Sequence, residues 1–136
     1  MIHTGDVNET YSSPFRLANV LNWFPNLTVI AAHLGGYSKW EEAAEFLHGK
    51  HLYIDTSSSI AYLGAEKATK IIRAHGVDKV LFGTDYPKVR HKEELALFLS
   101  LPLTEDERRK ILYDNAFKLL NGYNTLGHHA HNENTQ

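Results

Sequence analysis

The chain has 136 residues, 43% of them hydrophobic and 22% charged, and a formal net charge of -2; this predicts one globular domain and gives no electrostatic case for a nucleic-acid or membrane-surface partner. It contains no cysteine, which excludes disulfides, thiolate nucleophiles and Cys-type zinc sites and makes a reducing cytoplasm the expected setting. No apolar run approaches the ~20 residues of a membrane span, and Met1–Asp6 lacks the basic and apolar regions of a signal peptide.

Four short apolar runs, each closed by small or polar residues, are expected strands: Met1–His3, Leu27–His33, His51–Asp55 and Lys79–Gly83. The second is apolar almost throughout, as a strand covered on both faces would be. Segments of helical period lie between them. In 14–24, Leu17, Val20, Leu21 and Phe24 share one face and Pro14 suits a first turn. In 38–47, Ser38 is placed to cap Trp40, Ala43, Ala44 and Leu47. In 64–75, Ala68, Ile71 and Ile72 form a stripe that ends at Gly76, and 92–99 is a fourth helix. Thr104 and Glu107 then form a capping box, with Ile111, Leu112, Phe117, Leu119 and Leu120 on a broad apolar face. Residues 1–122 are read as the folded unit and 123–136 as a disordered polar tail. Strand starts recur at close to the ~30 residues of a βαβ unit, so the strands are expected to be parallel.

Catalytic groups in such folds collect at the carboxyl ends of parallel strands. That rule selects His3, His33, before Leu34-Gly35-Gly36, and Asp85, in Phe82-Gly-Thr-Asp85-Tyr-Pro87. Imidazole nitrogen and carboxylate oxygen are ligand types that zinc and similar ions take. Each residue also has a plainer reading: a hydrogen-bonded structural histidine in the first two cases, a helix N-cap for Asp85. Asp55 and Ser57, in Asp55-Thr-Ser-Ser-Ser59, either face a substrate or form a hydroxyl-rich turn before the next helix; Tyr86 would line the same face. His48, His51, His75 and His91 read as surface residues, and His128, His129 and His131 as a tract able to bind metal adventitiously. No nucleophile elbow, Walker loop or dinucleotide fingerprint is present.

The runs Leu27-Thr-Val-Ile-Ala-Ala-His33-Leu-Gly-Gly36, Leu52-Tyr-Ile-Asp55-Thr-Ser57, Val80-Leu-Phe-Gly-Thr-Asp85-Tyr-Pro87 and Asn115-Ala116, with the leading Ile2-His-Thr-Gly5, resemble the amidohydrolase-related family. This is the branch that also holds the aminocarboxymuconate-semialdehyde decarboxylase-like enzymes, and the resemblance runs from His3 to about Leu120. It implies an α/β fold, a partial TIM barrel of four βα units resembling strands five to eight of a (β/α)8 metal-dependent hydrolase. It further implies one divalent metal ion, zinc in most members, with His3 and Asp85 as ligands and His33 beside the metal-bound water. Asp85 would also accept a proton. The family's first-strand His-x-His has no counterpart; the only such spacing is His129-Ala-His131, in the tail.

The expectation is therefore a metal-dependent hydrolase acting on a small carboxylate, amide or ester, incomplete as this chain. The alternatives are a metal-dependent decarboxylase and a non-catalytic half-barrel that serves as an interaction module. The expected partners are a small-molecule substrate and either a second copy or a missing N-terminal half-barrel.

Overall fold

In the computed structural model, residues 1–129 are described, with side chains placed through Gly122. Chain order gives α1 (Pro14–Trp23), β1 (Ile30–Ala31), α2 (Trp40–Phe46), β2 (Tyr53–Asp55), α3 (Ile60–His75), β3 (Val80–Leu81), α4 (His91–Leu99), α5 (Glu105–Arg109) and α6 (Asn115–His129). Short 3-10 turns at His33–Gly35 and Val77–Lys79 and a π-helical turn at Lys110–Asp114 join them.

The strands are parallel in the order β1-β2-β3. Ile2 adds a fourth position through a parallel bridge to Ala31, donating its N–H to the Ile30 carbonyl at 2.9 Å and accepting from the Ala32 N–H at 2.9 Å. Ile2, Ala31, Ile54 and Val80 thus form one row across the sheet. Ala31, Ile54 and Val80 are fully buried, because helices cover the sheet and leave no polar face for alternating residues to meet. Leu47, Ile72 and Phe98 complete that packing from the helices. Three of the four expected strands are present, each two or three residues long; the first, Met1–His3, is reduced to the isolated bridge at Ile2.

Local sequence explains most helix ends. Ser13 accepts from the Arg16 N–H at 3.3 Å and Pro14 opens α1; Thr104 and Glu107 form the expected capping box. Ser38 is not a cap: its φ is 61°, whereas an N-cap needs extended backbone. The cause lies upstream, where the Tyr37 N–H is drawn to the Thr4 carbonyl at 2.7 Å and Lys39 closes onto Gly36 at 2.8 Å. α3 starts earlier than expected and breaks at Gly64, φ 75° and ψ 163°, before its regular part. His75, expected at the surface, is 5% exposed. Helical backbone continues to His129, through residues expected to belong to a polar tail; the rest of that tail, with His131, lies outside the described residues. No helix among the described residues is long and apolar enough to cross a membrane.

The two edges of the sheet differ. At β3, Phe82 donates its N–H to the Ile111 carbonyl at 3.0 Å, and Asn115 donates from Nδ2 to the Val77 and Val80 carbonyls, both at 2.8 Å. The edge at Ile2 is flanked by a groove of about 320 Å³ whose lining includes Ile2, Leu17, Val20, Leu27 and Val29. Exposed Tyr11, Phe24 and Leu27 lie in the same part of the chain.

Asn115 therefore pins the last helix to β3. Asn115→Ala removes both donations, although the Val77 carbonyl keeps the Val80 N–H, and is expected to lower unfolding free energy by about 2 kcal/mol. Urea denaturation measures it, and a loss below about 1 kcal/mol would show that the clamp is not needed.

Candidate functional site

His33 stands on an unusual turn. His33, Leu34 and Gly35 have φ of 62°, 51° and 83°, a run of left-handed residues that chirality disfavours in all but glycine. Surrounding groups hold it there. The His33 N–H donates to Asp55 Oδ1 at 3.2 Å, the Trp40 Nε1–H donates to the His33 carbonyl at 3.0 Å, and the Gly36 N–H closes on the same carbonyl at 3.1 Å. Gly5, with φ 83°, lies so close to the Tyr37 backbone that any Cβ there would collide with it. That close approach seats the His3-Thr4-Gly5 segment against the turn.

The two histidines meet: His3 Nδ1 lies 3.0 Å from His33 Nε2. The partners of His33 decide which atoms carry protons. Ser57 Oγ gives its single hydrogen to Asp55 Oδ1, so it can only accept from His33 Nδ1 at 3.1 Å. The Ser57 carbonyl, 3.0 Å from the same nitrogen, can only accept as well. Nδ1 of neutral His33 therefore bears the hydrogen and Nε2 presents a lone pair. His3 Nδ1 must then donate to it, which leaves His3 Nε2 as the free basic atom. His33 is 6% exposed and His3 is open to solvent, so the buried chain Asp55–Ser57–His33 ends in an accessible imidazole.

Asp85 is on the same strand-end face but bonded elsewhere. Its Oδ2 accepts from Ser58 Oγ at 2.7 Å, and its carbonyl accepts from the Lys88 N–H at 2.9 Å. It is no helix cap, since Arg90 occupies that position for α4. Its φ is 61° and a cis peptide follows at Tyr86-Pro87. Asp55 and Ser57 are 3% and 4% exposed, and both turn inward to His33. Tyr86 is 64% exposed and packs on His91 at 4.7 Å.

The donor types suit a divalent ion, yet the geometry assembles only part of a first shell. His3 and His33 converge, Asp85 is held on Ser58, and among the described residues no group of three His, Asp or Glu side chains is placed to hold a metal.

Several neighbours of the site were not legible beforehand. Tyr37 lies edge-on to His33 at 5.6 Å and to Tyr62 at 5.6 Å, with Lys88 Nζ 5.1 Å from the Tyr37 ring centre, within cation–π range. A hydrogen bond with Tyr62, then burial and the negative charges of Tyr62, Asp6 and Asp85, raise the Tyr37 phenol. Glu94 of α4 is 1% exposed, and its Oε1 has no hydrogen-bond partner among the described residues. Burial pushes its carboxyl up to about 7, with the charges of Asp85 and Asp55 adding to the effect. In sequence it is an ordinary acid near a helix start, and nothing there signals burial.

A family model described as amidohydrolase matches residues 1–122. No curated protein matches the chain. Among solved structures, an uncharacterised TIM-barrel protein from Bordetella bronchiseptica is 29% identical, with a TM-score of 0.64 over 87% of this chain and 43% of that one. A dihydroxybenzoic acid decarboxylase from Polaromonas, with bound manganese and the inhibitor 2-nitroresorcinol, is 22% identical, with a TM-score of 0.61 over 78% of this chain and 38% of its own. A probable 2-pyrone-4,6-dicarboxylic acid hydrolase from Acinetobacter baumannii with citric acid bound is 18% identical, at 0.63 over 86% and 50%. The α/β fold thus matches part of a TIM barrel, and the chain spans half or less of each of these proteins.

Glu94 yields a pH test. Its folded pKa of about 7 lies above the ordinary value of 4.5, so folding takes up a proton between those values. The associated stability is complete below pH 4.5 and is lost as pH rises through 7, on the order of 3 kcal/mol in all. Glu94→Gln should remove that loss and gain on the wild type between pH 4.5 and 8 in urea titrations. A pH-independent difference between the two would contradict it.

Proposed function

This chain belongs to the amidohydrolase family, and on that premise we propose that it forms half of the active-site face of a metal-dependent enzyme acting on a small carboxylate, amide or ester. The observation that carries the reading is the 3.0 Å contact between His3 and His33, with the second nitrogen of His33 committed to Ser57. We read His3, His33 and Asp85 as ends of the fifth, sixth and eighth strands of a (β/α)8 barrel. A second copy or the missing N-terminal half-barrel would complete it by pairing with both the Ile2 and the β3 edges.

His3 and Asp85 would hold the ion, zinc by donor type, with His33 alongside. The ion, when bound, supplies Lewis-acid activation. His33 Nε2 accepts the His3 Nδ1 hydrogen and can take that proton, the protonated His33 ring being stabilised through Ser57 by the Asp55 carboxylate. Asp85 keeps Ser58 on Oδ2, and Oδ1 would be the atom it offers to the ion. The setting we propose is the cytoplasm.

A second reading, decarboxylation, draws on Tyr37, Tyr62 and Lys88. Tyr37 beside His33, Tyr62 packed on Tyr37 and a nearby ammonium suit a planar aromatic carboxylate, the cation facing the carboxyl group. Two similar structures are named as dihydroxybenzoate decarboxylases.

Zinc and manganese titrations of the full chain, with His128, His129 and His131 changed to Asn, test the ligand assignment. His3→Ala and Asp85→Asn should each weaken binding on the order of tenfold or more; unchanged affinity in both would overturn it. In the same preparation, metal-dependent release of carbon dioxide from 2,6-dihydroxybenzoate marks a decarboxylase, and cleavage of a carboxylate ester or amide marks a hydrolase.

A further inference from the structure

Beneath the turn that aims His33 lies a second pair of imidazoles, which the chemistry above does not use. His48 follows α2 and is half-buried; its Nε2 lies 3.1 Å from the Leu34 carbonyl, which can only accept, so Nε2 carries the donated hydrogen. A Cβ on Gly35 would sit 3.8 Å from that same nitrogen, beside Ala43 and Ile54. The imidazole is therefore directly under the left-handed segment.

His75 of α3 steadies it, its ring 5.9 Å away and edge-on. Both His75 nitrogens are engaged: Nδ1 accepts the Gly49 N–H at 3.2 Å, and Nε2 donates to the Leu52 carbonyl at 3.0 Å. Gly49 is the residue after His48, so α3 fixes the loop from which His48 reaches up. Burial keeps both imidazoles below their ordinary pKa, His75 at about 4, so they remain neutral at pH 7.

The need for such a support is energetic. A left-handed non-glycine residue is held at a cost on the order of 1–3 kcal/mol and persists only where its surroundings over-determine it. His33 and Leu34 are two in succession. The His33 carbonyl is satisfied by Trp40 and Gly36, and that of Leu34, a fully buried residue, by His48.

We propose that His48 is a positioning residue for His33: by donating to the Leu34 carbonyl it holds the left-handed turn that directs His33 Nε2 at His3. The inference rests on His33 being the proton-handling group, but its test reads the His33 ring directly and needs no turnover. A failure of the enzymatic reading and a failure of this one are therefore separable.

The experiment uses the full chain with 15N-labelled histidine and long-range proton–nitrogen spectra at neutral pH. In the wild type, His48 should show a slowly exchanging Nε2–H and His33 the Nδ1–H form. Gln at position 48 can place its amide nitrogen where Nε2 lies; Asn is one methylene too short. His48→Gln should keep the His33 spectrum, and His48→Asn should shift His33 towards the Nε2–H form that free histidine prefers. Ile72→Val, a core change that removes none of the turn's hydrogen bonds, controls for lost stability and should leave His33 unaltered. An unchanged His33 in His48→Asn, an equal change in His48→Gln, or the same change in Ile72→Val overturns the proposal. Absence of a slowly exchanging His48 Nε2–H in the wild type overturns it even if His48→Asn fails to fold.

Discussion

One buried carboxylate ties the strand ends together. Asp55, at the end of β2 and 3% exposed, accepts on a single oxygen from the His33 N–H, the Ser57 N–H and the Ser57 hydroxyl. A carboxylate removed from water is tolerable only when donors replace the water, and here they come from the loops after two different strands. The loop after the third approaches equally closely: a Cβ on Gly83 would lie 3.0 Å from Asp55 Cγ. Without the carboxylate, the His33 turn would lose its backbone anchor and Ser57 the acceptor that orients its hydroxyl. The tautomer of His33 follows from that orientation.

The sheet provides the frame on which this works. Ile2, Ala31, Ile54 and Val80 align in one row, so residues one or two positions later emerge together on one side. His3, His33 and Asp55 share a site because of register, although 22 to 30 residues separate the partners in their hydrogen bonds. Asp85 lies further along its loop and stays outside the pair. The same frame leaves two unlike edges, one covered by Ile111 and Asn115 and one bordered by an apolar groove.

Much of this was legible in the sequence, for identifiable reasons. Apolar runs ending in His3, His33 and Asp55 marked the segments that the sheet aligns, because a covered parallel sheet leaves near-continuous hydrophobic signatures. The Thr104–Glu107 capping box was legible because its signal is local. Ser38 misled because a tertiary hydrogen bond, from Tyr37 to Thr4, overrode a local preference. Asp55 and Ser57 were expected near the site and are there, but only geometry shows that they face His33. The burial of Glu94, His48 and His75 depends on packing between helices distant in sequence, and no periodicity marks it. Which donors converge is likewise a property of loop conformation: the left-handed φ angles at His33, Leu34 and Asp85 have no sequence signal in non-glycine residues.

Where the protons lie between His3 and His33 can be read in the unmodified protein. Long-range proton–nitrogen correlation of selectively labelled His3 and His33, in metal-free chain at neutral pH, identifies the protonated nitrogen of each ring. Hydrogen on Nδ1 of both rings, with Nε2 of each bearing a lone pair, is the result the Asp55–Ser57–His33–His3 chain requires. Hydrogen on Nε2 of neutral His33 would contradict it, because Ser57 could not then be the acceptor that orients the ring.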